Sequence, residues 1–131
     1  MTLLNSERVE TNHDGISSIV GDAENMTEFP NESIDIVFSN SVIEHLGSYE
    51  NQLKMANEVR RIGKMYFVQT PSYMFPFEPH FLFPFFHWLP FCVRAFMVHH
   101  LSLGHFRRQK TKEKARMLMR EHRLLKKKEM Q

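Results

Sequence analysis

Three short runs rich in β-branched and aromatic residues, each ending in polar groups, constrain this chain most. They are residues 16–20, 34–38 and 65–69, and each has the length and composition of a buried strand. A fourth piece, Thr2-Leu3-Leu4, reads as the end of a strand with Asn5 at its tip. Between the last two runs lies one helical pattern over residues 49–62. There Leu53, Ala56, Val59 and Ile62 recur at near-helical spacing, Ser48 can cap the start and Gly63 supplies the stop. Strand, loop, strand, helix, strand implies parallel pairing through crossovers. Apolar runs this continuous predict strands covered on both faces. The expected fold class is therefore α/β, with a parallel sheet and crossover helices.

At 131 residues the chain suffices for one modest domain. The single Cys92 excludes an internal disulfide and a cysteine-based zinc site, which fits a reducing, cytoplasmic setting. Residues 1–10 have neither a basic start nor a long apolar core, so no secretory signal is read there. Charge is divided along the chain. Residues 1–105 carry a balance of −6 and residues 106–131 one of +8, an acidic body with a basic tail. The chain divides into three segments: a core over 1–72, an aromatic and proline-rich insertion over 73–106, and a basic segment over 107–131.

The polar strand ends are where an open parallel sheet places its ligands. No glycine-rich phosphate or dinucleotide loop accompanies them. The residues concerned are Gly21-Asp22-Ala23, the acidic loop with Phe29-Pro30 and Glu32-Ser33, Asp35-Ile36-Val37-Phe38-Ser39-Asn40, Ile43-Glu44-His45-Leu46, and the helix-Gly63-strand unit ending at Thr70-Pro71. In this order and spacing the set resembles the class I S-adenosylmethionine-dependent methyltransferases, a Rossmann-like family, over about residues 2–71. The resemblance implies a Rossmann-like sheet, S-adenosylmethionine as cofactor and methyl transfer to a small-molecule acceptor.

It also implies site residues. Asp22 would accept a hydrogen bond from the exocyclic amino group of adenine, a donor meeting an acceptor-only carboxylate. The Ala23 N–H would meet a ring nitrogen. Asn5 would hold the ribose where the family usually has an acid, giving an uncharged and weaker grip. Asn40, with Ser39 and Ser41, would border the methionine part, while Glu44 and His45 face the substrate. His45 is the candidate general base, although methyl transfer from a sulfonium depends chiefly on alignment. Two departures stand out. The family's first strand and its glycine-rich turn should precede Thr2, between the strand ending at Asn5 and the strand over 34–38. A final antiparallel pair should come after Leu124-Leu125. The chain is thus expected to be a fragment cut at both ends, with one wall of the cofactor pocket missing.

The rest of the chain weighs against other classes. Glu44-His45 is not read as a metal motif, because neighbours in a helix point to different faces. His99, His100 and His105 have no fixed carboxylate partner, so no metal is expected. Residues 73–97 are aromatic and punctuated by Pro76, Pro79, Pro84 and Pro90, which favours short helical turns. The 13 residues between His80 and Arg94 fall short of the roughly 18 needed to span a bilayer, so this block reads as lid or core. A basic amphipathic helix is predicted over 111–128, with Met117, Leu118, Leu124 and Leu125 inward. The acidic body argues against nucleic acid as a partner. The rival is a non-catalytic peripheral membrane or interaction module that uses the Phe/Trp block and the basic tail.

Overall fold

β1 (Thr2–Asn5) and β2 (Ser17–Val20) pair in parallel, Thr2 opposite Ser17 and Asn5 opposite Val20. The computed structural model describes residues 1–78 and 80–129. Pro79, one of the four punctuating prolines, and positions 130 and 131 of the basic segment lie outside the described residues. The chain forms two units, one of Met1–Ser39 with Glu50–Val68, the other of Asn40–Tyr49 with Gln69–Gln131.

In the first unit, β3 (Ile34–Asn40) leads through a crossover helix, α1 (Tyr49–Ile62), to β4 (Gly63–Gln69), which pairs with β3. The helix bounds agree with the sequence reading, but its inward stripe is Gln52, Met55, Val59 and Ile62. Leu53, expected inside, is exposed. Gly63 ends the helix for reasons of space, since a Cβ there would stand 2.8 Å from Val37 Cγ2 and 3.0 Å from Val59 O. The Arg61 guanidinium reaches Phe29 O, Asn31 Oδ1 and Met26 O at 2.8–3.0 Å. Glu58 accepts the Met26 N–H at 2.7 Å. The acidic loop is thereby stitched to α1.

The strands form separate two-stranded ladders, β1–β2 and β3–β4, and among the described residues none pairs β1 with β3, where the resemblance places a further strand. One expectation is corrected: the strands are not covered on both faces. Ile36, Phe38, Met65 and Phe67 are exposed, with the Phe38 and Phe67 rings stacked at 5.7 Å. A single crossover helix can screen only one face of its ladder.

The second unit has its own core. A short antiparallel pair, β5 (Phe77–Glu78) with β6 (Phe83–Pro84), leads through a 3-10 turn at Phe86–Trp88 to α2 (Phe91–His100) and then α3 (Lys112–Glu121). Phe81, Phe86, Ala95, Val98, Ala115 and Met119 pack together. The aromatic block and the basic helix thus share one interior. α2 is a longer helix than the prolines suggested, because Pro90 sits before its first turn, where its missing N–H costs nothing. α3 is shorter than predicted and turns Ala115 and Met119 inward, an i,i+4 pair. Met117 is exposed, and Leu125 is buried outside the helix, bridging to Ser72. Among the described residues no helix is long and apolar enough to cross a membrane.

Gly63→Ala should destabilise the chain by about 1–3 kcal/mol, the usual range for overpacking a filled site. A lowered urea midpoint would show it, and an unchanged midpoint would contradict the packing described.

Candidate functional site

Parallel pairing brings three predicted residues to the carboxyl end of the β1–β2 ladder in the first unit. Asn5 is half-buried at the end of β1, and its carbonyl accepts the Gly21 N–H at 2.9 Å. That bond continues the ladder one residue past Val20 and delivers the chain to Asp22. The Asp22 carboxylate is exposed. Its Oδ1 accepts the Glu24 N–H at 2.8 Å, while its carbonyl accepts the Asn25 N–H at 3.0 Å. The side chain is therefore an Asx-turn acceptor, which orients the carboxylate while occupying one of its roughly four lone-pair positions. Ala23 comes next, half-buried.

The other two predicted residues belong to the second unit. Asn40, the last residue of β3, is exposed, and its Oδ1 accepts the Ser41 hydroxyl at 3.2 Å. Ser41 takes a left-handed backbone (φ 55°) and donates its N–H to Gln69 O at 2.9 Å. The C-terminal ends of β3 and β4 therefore lie side by side. Beyond them a 3-10 turn, Ile43–Leu46, carries Glu44 and His45. Glu44 is fully buried and accepts the Thr70 hydroxyl at 2.8 Å, whereas His45 is exposed.

The His45 ring meets His80 edge-on at 5.0 Å and His122 at 4.7 Å. Glu44, His45 and His80 each place one ligand atom within 4.8 Å of the others. This differs from the sequence expectation for Glu44-His45, because a tight 3-10 turn is not an α-helix and the third member comes from another segment. His80 and His122 carried no signal in the sequence, since long-range folding alone gathers them. His99, considered for a metal, instead meets Gln109 O at 3.0 Å through its Nδ1.

Charged pairs support the first unit. Arg61, chiefly by hydrogen bonding, holds the Glu58 carboxyl below the usual carboxylate range, and the Met26 N–H adds to the effect. Lys64 does the same for Asp35, by hydrogen bond and then by charge, at 2.7 Å. The Asp35 pair is highly exposed and contributes little.

Residues 2–65 match a family described as "Methyltransferase domain". Two curated relatives from Mycobacterium tuberculosis are each 38% identical over 50 residues. They are "Uncharacterized protein MT1557" of strain CDC 1551 / Oshkosh and "Uncharacterized protein Rv1509" of strain ATCC 25618 / H37Rv. The match covers 38% of this chain and 17% of each relative's length. No solved structure matches significantly.

Because the folded-state Glu58 carboxyl lies below its ordinary value of 4.5, its stabilisation is present above that pH and fades as pH falls through the lowered value. The gap in urea midpoint between the native sequence and Glu58→Gln should be largest near pH 7 and close in acid. A gap that persists unchanged in acid would contradict the Arg61 clamp.

Proposed function

Residues 2–65 belong to the class I S-adenosylmethionine-dependent methyltransferase family, and from that premise we propose that the chain carries part of the machinery for methyl transfer from S-adenosylmethionine to a small-molecule acceptor. The observation that supports this most is the parallel β1–β2 pair, with Asn5 and Gly21-Asp22-Ala23 together at its carboxyl end. Open parallel sheets bind nucleotides at that end.

The residues present fit the adenosine portion. The Glu24 N–H pins the Asp22 carboxylate through Oδ1, and the remaining lone pairs can take the amino group of adenine. Asn5, half-buried one strand away, offers an amide to the ribose hydroxyls. Bound there, the cofactor would supply a methyl group already activated on sulfonium, so the protein's contribution is alignment rather than activation. The resemblance assigns Asn40 to the methionine part of the cofactor and His45 to the acceptor, both residues of the second unit. His45 would accept a proton only where the acceptor must lose one.

Asp22→Asn separates the two roles of this residue. Asparagine keeps an oxygen for the Glu24 N–H but places an NH2 where the second carboxylate oxygen stood, donor against donor. S-adenosylmethionine affinity by calorimetry should fall about ten- to a hundredfold, the loss expected for a charge-assisted hydrogen bond, with the melting temperature unchanged. Equal affinities would remove Asp22 from the site, and no binding by the native sequence would end the proposal.

A further inference from the structure

We propose that Glu44, His45 and His80 form a binding site for a divalent transition-metal ion of the zinc type, with the His122 ring packed beside it. The first observation is geometric: one ligand atom from each of the three lies within 4.8 Å of the other two. The second is independent of it. Glu44 is 0% exposed, and although one oxygen accepts the Thr70 hydroxyl, Oε1 is buried with no hydrogen-bond partner among the described residues. A buried carboxylate oxygen with no donor is costly. A cation offsets that cost directly.

His122 adds a third observation. Its Nδ1 lies 2.9 Å from Leu118 O. A carbonyl only accepts, so Nδ1 carries the proton and Nε2 keeps the lone pair. Nε2 is buried and has no hydrogen-bond partner among the described residues. The backbone carbonyl thereby fixes the orientation of the imidazole that packs beside His45 and His80. The His122 ring lies 4.7 Å from that of His45 and 5.4 Å from that of His80.

The backbone around these side chains is constrained. The Glu44 carbonyl accepts the Arg123 N–H at 2.8 Å, joining the 3-10 turn to the residue after His122. The His80 carbonyl accepts the His105 N–H at 3.1 Å. Gly104 (φ +54°) lies so close that a Cβ there would stand 2.5 Å from His80 O. Two imidazoles and a carboxylate suit zinc, cobalt or nickel far better than magnesium or calcium, which prefer all-oxygen shells. Metal–ligand bonds of about 2.0–2.1 Å set a tetrahedral edge of roughly 3.4 Å. Binding therefore draws the ligands inward. The exposure of His45 leaves the ion open on one side to water or a ligand. The site shares His45 with the proposed function, but metal binding is read without cofactor or acceptor, so the two fail separately.

The test uses the untagged 131-residue chain, stripped with chelator and titrated with Co2+ by visible absorption, then with Zn2+ in competition. One Co2+ per chain with ligand-field bands is expected. His45→Ala and His80→Ala should each weaken binding about tenfold or more, and Glu44→Gln should abolish the bands. The triple variant His99→Ala/His100→Ala/His105→Ala should bind as the native sequence does. Should Glu44→Gln fail to fold by circular dichroism, the exposed His45→Ala decides alone. No saturable binding, or binding undiminished in His45→Ala/His80→Ala, would overturn the proposal.

Discussion

In a parallel pair both strands run the same way, so the two segments that leave the strands' carboxyl ends emerge side by side. That constraint governs the first unit. Asn5 stands opposite Val20, and the bond from the Gly21 N–H to Asn5 O carries the alignment past the strand ends. Asp22 therefore emerges next to Asn5 rather than at the far end of a hairpin. Had the strands met antiparallel, the two polar residues would sit at opposite ends. The nucleotide reading of this end rests on strand direction before it rests on any side chain.

The second unit is organised around a different difficulty, a carboxylate removed from water. Glu44 is buried on a 3-10 turn, and among the described residues that burial is met by one hydroxyl from Thr70 and the nearby imidazoles of His45 and His80, with no hydrogen bond to Oε1. The adjoining core explains why the turn is held firmly. Phe81 stacks on Phe86 and Phe106 and also meets His122 edge-on, so the aromatic block packs against His122. Phe81 and Phe86 thus serve packing, whereas Phe75, Phe77, Phe85, Trp88, Phe91 and Phe96 are exposed.

How far the residues alone reveal the structure depends on the range of the forces involved. β-branched runs and helix punctuation act locally, so β1 to β4 and the bounds of α1 are legible. The face that α1 buries is not, because Gln52 displaces Leu53 from the interior and that choice belongs to tertiary packing. The exposure of Ile36, Phe38, Met65 and Phe67 is equally hidden, since continuous apolar runs do not state what covers them. Asn5 and Asp22 are legible as neighbours because parallel pairing can be read from element order. The approach of His80 and His122 to His45 is not, for no spacing rule joins residues so far apart in sequence.

Cofactor binding at the carboxyl end of the β1–β2 ladder is the central claim. Amide chemical-shift mapping of the isotopically labelled chain on addition of S-adenosylhomocysteine tests it most directly. Saturable shifts centred on the amides of Asn5, Asp22, Ala23 and Glu24 are predicted. Shifts absent there, or confined to residues 69–129, would contradict it.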